Sequence, residues 1–133
     1  MIHSIQRALD AIPCVVAHGV RVVSCGDGGL RLMAHYPPSS RDALGRVSTA
    51  SMFALAEVAA QVAAQLEAGK LGRGFRQKSA RIKYYGSTKE SLCADVGVAF
   101  GDAEGGGTDL RVEVALVTDL GQQMAQYDAH FTL

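Results

Sequence analysis

The stretch "STASMFALAEVAAQVAAQLEAG", Ser48 to Gly69, limits the folds open to this chain more than any other part of it. Ser48 is a good N-cap, because its hydroxyl can accept from an orphan N–H of the first turn, and Gly69 is a good C′ residue that can turn left-handed. Between them the spacing predicts one helix of about six turns. Ala50, Ala54, Ala56, Ala59, Ala60, Ala63 and Ala64 give it a slim profile that lets a sheet approach closely. Near its middle stands one carboxylate, Glu57, and an ionised carboxylate is costly to bury. Either Glu57 lies on an exposed helix edge or it is placed for chemistry.

The start of the chain, "MIHSIQRALDAIP", also has helical spacing: Ile2, Ile5, Leu9 and Ile12 predict a short amphipathic helix that stops at Pro13. Elsewhere the period is two. The Val-rich "CVVAHGVRVVSC", Cys14 to Cys25, reads as a strand, and "CGDGG" supplies a tight connection to a second. There Leu30, Leu32, Ala34 and Tyr36 alternate with Arg31, Met33 and His35 until Pro37 and Pro38 end the ladder. After the long helix, Ala80, Ile82 and Tyr84 alternate with Arg81, Lys83 and Tyr85, and Leu92, Ala94, Val96, Val98 and Phe100 keep the same period. Leu110 to Leu116 and Ala125 to Leu133 give two more strands, with "GDAEGGGTD" and "DLGQ" as turns. Hairpin-length connections imply antiparallel neighbours. The expected class is α+β: a curled antiparallel sheet of about six strands wrapped around one long helix, with a short N-terminal helix, as a single domain over residues 1–133.

A chain of 133 residues, 48% apolar and 20% charged, carries enough hydrophobic surface for one core. Its 13 basic and 13 acidic residues cancel, which argues against a dedicated nucleic-acid binder. Glu57, Gln61 and Gln65 interrupt the best apolar run, so no segment reaches the roughly 18 residues needed to span a bilayer, and the start lacks the apolar block of a secretory signal. Cys14, Cys25 and Cys93 are odd in number and have no C-x-x-C spacing; they read as reduced and buried, and the chain as cytoplasmic. His3, His18, His35 and His130 have no partner at metal-ligand spacing, and "GDAEGGG" precedes a strand rather than the helix a phosphate loop needs. No metal or cofactor is expected.

The arrangement, together with "DALGRVSTASMFALAEVAAQ" and "ARIKYYGSTKESLCADVGVAF", resembles the hot-dog fold and, within it, the small acyl-CoA thioesterases of the phenylacetate-pathway type. The resemblance covers most of the chain after Pro13. In that family the helix is entered through N-x-x-G-x-x-H-G-G and carries an acidic residue at fixed spacing. With Glu57 on the acidic position, Asp42 stands at the asparagine, Gly45 is kept, and Ser48, Thr49 and Ala50 stand at His-Gly-Gly. The resemblance implies hydrolysis of an acyl-CoA or acyl-carrier-protein thioester by a homodimer or homotetramer, with coenzyme A present only as part of the substrate. It makes Glu57 the base or nucleophile. In dimeric hot-dog enzymes the acid and the helix start that share a pocket commonly come from different subunits.

Such chemistry needs a carbonyl polariser, which the backbone N–H groups of Thr49, Ala50 and Ser51 in the first helical turn can supply, aided by the helix dipole. Each candidate also has a structural reading. Glu57, Gln61 and Gln65 at i, i+4 and i+8 would form one polar edge; Ser48 would cap the helix; Asp42 would hold a loop or a water, or start a turn. Seven of the 13 basic residues, Lys70, Arg73, Arg76, Lys78, Arg81, Lys83 and Lys89, lie between Gly69 and Lys89 with no acid among them. That strip, Arg81, Lys83 and Lys89 included, would receive the phosphates of coenzyme A or guard a solvated strand edge, and Tyr84 and Tyr85 would be an adenine platform or one core and one surface residue. "EVAAQ" also resembles the helix of hot-dog 3-hydroxyacyl dehydratases, although "HYPP", His35 to Pro38, lies too far upstream of Glu57 for their histidine. A non-catalytic acyl-binding protein of the same fold is the remaining alternative.

Overall fold

The computed structural model describes residues 2–11, 19–26, 29–103 and 105–133. In chain order it forms α1 (Ile2–Asp10), β1 (Val20–Gly26), β2 (Gly29–Ala34), a 3-10 turn (Pro38–Ser40), α2 (Thr49–Lys70), β3 (Arg76–Tyr84), β4 (Leu92–Asp102), β5 (Thr108–Val117) and β6 (Gln123–Thr132). The first part of the strand expected from Cys14, together with Ile12 and Pro13, lies outside the described residues, as does Cys14 itself.

Ser48 starts α2 as its sequence predicts, the hydroxyl Oγ accepting from the Ser51 N–H at 3.1 Å. The other end corrects the expectation. Gly69 stays helical, and it is Gly72, at φ +63°, that turns left-handed, while the Arg73 N–H returns to the Ala68 carbonyl at 2.9 Å. A glycine in the last turn costs a helix only about 1 kcal/mol against alanine, so the first glycine of a pair need not be the stop.

All sheet pairings are antiparallel, in the order β1-β2-β4-β5-β6-β3. The short link between β3 and β4 is therefore not a hairpin, contrary to the sequence reading. Residues 85–91 pass the start of α2, and β3 pairs instead with β6, Ile82 opposite Tyr127 and Tyr84 opposite Ala125. The inner faces of β5 (Leu110, Val112, Val114, Leu116) and β6 (Ala125, Tyr127, Ala129, Phe131) are buried against Leu55, Ala56, Ala59, Ala60 and Ala63 of α2. Alanine at these helix positions is what permits the approach: a longer side chain would have to displace close-packed neighbours.

The two sheet edges are treated differently. At β1, α1 buries Ile5 and Leu9, and Gln6 satisfies the strand backbone: its Oε1 accepts from the Val22 N–H at 2.8 Å and its Nε2 donates to the Val20 carbonyl at 3.2 Å. At the far edge β3 is exposed over most of its length. The β1–β2 turn brings Gly29 so close to β4 that a Cβ there would stand 2.6 Å from the Val96 carbonyl oxygen, at φ +108°. Past this point β4 outruns β2, which leaves Val98 42% and Phe100 54% exposed although both continue the strand's apolar period. Cys93 is buried and Cys25 half-buried.

Candidate functional site

Two loops build the start of α2. The Arg41 guanidinium donates to the carbonyls of Tyr36 (3.2 Å), Gly45 (2.9 Å) and Lys89 (2.7 Å), and the Val47 N–H donates to the Thr88 carbonyl (2.8 Å), which ties residues 41–47 to residues 85–91. Within the first loop Asp42 is an acceptor. Its Oδ1 receives the N–H groups of Leu44 (2.9 Å) and Arg46 (3.0 Å) and its Oδ2 the Arg46 Nε (2.9 Å). These bonds, that of the Arg46 backbone N–H first, hold the Asp42 carboxyl below the usual carboxylate range. Gly45 makes the turn at φ +77°. Asp42 and Gly45 thus shape the loop, and Lys89 contributes a backbone carbonyl while its side chain is exposed.

At the helix start a chain of hydroxyls runs inward: Ser48 Oγ donates to Ser51 Oγ (2.9 Å), which donates to the Ser40 carbonyl (2.9 Å). Because the Ser51 N–H is taken by the cap, Thr49 and Ala50, both exposed, are left to present backbone N–H groups that meet no acceptor among the described residues. The phenols of Tyr84 and Tyr36 flank this turn, donating to the carbonyls of Thr49 (3.2 Å) and Ser51 (3.4 Å). Burial pushes the Tyr36 phenol up, with the Arg41 charge opposing.

Glu57 stands two turns further on, on the flank that also carries Phe53 and faces the inner side of β3 and β6. Tyr127, wholly buried on β6, donates its hydroxyl to Glu57 Oε2. Gln61 Nε2 donates to Glu57 Oε1 at 3.1 Å and to Gln77 Oε1 at 2.8 Å, and Gln77 Nε2 donates to Tyr127 Oη at 3.2 Å. The four side chains close a ring that joins α2, β3 and β6. The Tyr127 phenol is pushed well up, by burial first and by its bond to Glu57 second, against the Gln77 N–H. Phe53 packs edge-on to the Tyr127 ring, 5.8 Å between centroids. The polar edge read in the sequence is accordingly split: Glu57 and Gln61 are half-buried in the ring, and Gln65 is exposed outside it.

The basic strip lies elsewhere. Since Ile82 is paired with the inward Tyr127, its neighbours Arg81 and Lys83 project from the opposite, outer face of β3, away from Glu57 of the same chain. There Arg81 joins Arg111, Glu113, Asp128 and His130 around a shallow depression of about 380 Å³. Among the described residues, no three His, Cys, Asp or Glu side chains gather as a metal site, and no helix is long and apolar enough to cross a membrane.

No family model and no curated protein matches the chain. Solved structures do. A candidate thioesterase of Shewanella oneidensis is similar over 98% of this chain and 95% of its own, at 18% identity and a TM-score of 0.78. A thioesterase of Haemophilus influenzae is similar over 99% and 89%, at 7% identity and 0.78. A mutant of the phenylacetic acid degradation protein of Thermus thermophilus is similar over 91% and 98%, at 18% identity and 0.65. This is the hot-dog fold.

Within the hot-dog frame α2 is the filling and β3 the open edge of the wrapping sheet. Sequence reasoning brought out Glu57 and the helix start but missed Tyr127 and Gln77. Tyr127 read as one more apolar residue of the last strand; the signal was its hydroxyl, which a buried tyrosine has to satisfy. Gln77 lay before the strand as predicted, and the period places it on the wrong face.

Proposed function

We propose that the protein hydrolyses an acyl thioester, of coenzyme A or of an acyl-carrier protein, in a site shared between two copies of the chain in the cytoplasm. The observation that carries this reading is the pairing of an oriented, half-buried Glu57 with N–H groups at Thr49 and Ala50 of the same helix that meet no acceptor among the described residues. Seven residues of helix separate Ala50 from Glu57, about 10 Å of rise, and first-turn N–H groups point back along the axis, away from Glu57. One carbonyl is therefore beyond the joint reach of both groups in one chain. Antiparallel pairing of two β3 edges would cover the exposed strand and set the Glu57 of one copy near the α2 start of the other.

In such a site the amides of Thr49 and Ala50 hold the thioester oxygen. Glu57 takes a proton from water as the water oxygen bonds to the carbonyl carbon. Charge gathers on the carbonyl oxygen, facing the amides, and the intermediate collapses with cleavage of the C–S bond. The thiolate leaves and recovers the proton. Direct attack by Glu57 followed by hydrolysis of the mixed anhydride is the alternative route to the same products. Arg81, Lys83 and Lys89 remain the cations for the coenzyme A phosphates, and the outward aim of Arg81 and Lys83 favours a phosphate that reaches them around the strand edge.

The test is turnover of short, medium, long and aromatic acyl-CoAs with thiol detection, for the native protein and Glu57→Gln. Loss of about 10²- to 10⁴-fold in kcat is expected; equal turnover by the variant removes Glu57 from the mechanism. Hydration of a crotonyl thioester in its place would favour a dehydratase. A second reading, an acyl-binding protein without turnover, is favoured by the occupation of both Glu57 oxygens within the chain and predicts binding of acyl-CoA with no thiol released by any substrate.

A further inference from the structure

The ring around Glu57 has one consistent set of proton positions. Gln61 gives both Nε2 hydrogens, to Glu57 Oε1 and Gln77 Oε1, so its amide cannot be flipped without setting its oxygen against two acceptors. Gln77 must then present Nε2 to Tyr127 Oη, and the phenol, already accepting, must donate to Glu57 Oε2. Every donor runs toward the carboxylate.

Two further features show that the chain is built to hold this ring. The rest of the β6 inner face is Ala125, Ala129 and Phe131, where a phenylalanine at 127 would fill nearly the same space without a hydroxyl to satisfy. On β3, a bulge at Lys78 sets Gln77 opposite Phe131 and Ser79 opposite His130. Were the alternation unbroken through Lys78, Gln77 would share the outer face with Ser79, Arg81 and Lys83; the bulge turns it inward to Tyr127.

We propose that Tyr127 and Gln77 are positioning residues that fix the orientation of the Glu57 carboxylate, Tyr127 through its hydroxyl on Oε2 and Gln77 by orienting both that hydroxyl and Gln61. The proposal rests on the thioesterase reading of Glu57. A carboxylate with two bound oxygens has its side-chain torsions locked and presents its remaining lone pairs in one direction, which is what attack on a carbonyl held by separate amides requires.

The experiment compares Tyr127→Phe, Gln77→Ala, Gln77→Glu and Glu57→Gln in the full-length protein by kcat and KM on the best acyl-CoA, and by hydrogen exchange of the glutamine side-chain amides. Tyr127→Phe and Gln77→Ala should lower kcat on the order of 10- to 100-fold with KM little changed. Gln77→Glu should be worse than Gln77→Ala, because the new carboxylate competes for the Tyr127 proton and repels Glu57; a purely structural role would not give that order. The Gln61 and Gln77 amides should exchange on the order of tenfold more slowly than the exposed Gln65 amide, and lose this protection in Tyr127→Phe. Full activity in Tyr127→Phe and Gln77→Ala while Glu57→Gln is dead overturns the proposal alone, as does exchange at Gln61 and Gln77 as fast as at Gln65. An active Glu57→Gln, or no turnover by the native protein, overturns the thioesterase reading and the positioning role with it. Should Tyr127→Phe fail to fold, Gln77→Ala, at a half-buried edge position, carries the test.

Discussion

Tyr127 Oη donates to Glu57 Oε2 across 70 residues of sequence, binding the inner face of β6 to the middle of α2. The bond holds only while the phenol keeps its proton. Burial and Glu57 push the Tyr127 phenol up, and burial does the same to Tyr36. A raised folded-state value means that the stabilisation is complete below the unfolded tyrosine value, about 10, and drains away as pH rises above it. Thermal melts should therefore fall steeply in alkali. Tyr36→Phe and Tyr127→Phe should each flatten that fall, read as Tm against pH from 8 to 12.

Asp42 predicts the opposite dependence. Its carboxyl is held low by the Arg46 and Leu44 donors, so its contribution is present above the unfolded value and is lost as pH falls through the folded one. Asp42→Asn should loosen residues 41–47 at neutral pH, seen as faster backbone hydrogen exchange at Leu44 and Arg46, and the difference from the native protein should vanish in strong acid.

Ser48→Ala removes the cap on the Ser51 N–H and leaves the Ser51 hydroxyl with its Ser40 bond alone. A stability loss of about 1 kcal/mol is expected in urea unfolding. Since the Ser51 amide is then freed beside those of Thr49 and Ala50, KM for a thioester should not rise by the same factor.

Ala60 is fully buried under the sheet. Ala60→Leu should destabilise the fold by about 1–3 kcal/mol through overpacking, whereas Ala50→Leu, at an exposed helix position, should leave Tm nearly unchanged. Calorimetry on the two variants separates the packed side of α2 from its open one.

Ile82 lies half-buried on the inner side of the open β3 edge. If two copies meet along β3, Ile82→Lys should shift the protein to monomer in sedimentation and abolish thioester turnover together. A monomeric native protein with full activity would refute the shared site.

Much of this was legible because α2 and the strands each obey one period. The Ser48 cap, the alanine face and the alternation of β5 and β6 are local signals, and the structure keeps them. What could not be read is what depends on distant pairing. The seven residues after Tyr84 look like a hairpin turn, yet β3 goes to the far edge because β4 is already paired with β2, Ala94 opposite Leu32. Gln77 was hidden by one extra residue: counting by twos from Ala80 puts it outside, and only the bulge at Lys78 brings it in. Val98 and Phe100 keep their alternation yet stay largely exposed, since period reports the face of a strand and not the extent of its cover.

The position of β6 between β5 and β3 sets a condition on how the molecule comes together. β3 leaves the ribosome some forty residues before β6, its only partner in the sheet, so the nascent chain carries an unpaired strand while β4 and β5 are being made. Closing that long loop is an entropic barrier that local contacts cannot lower. Here β3 waits as "RQKSARIKY", with four cations in nine residues. Mutual repulsion along such a segment discourages premature association with other chains, so the charge on its outer face favours correct assembly while the chain is still incomplete.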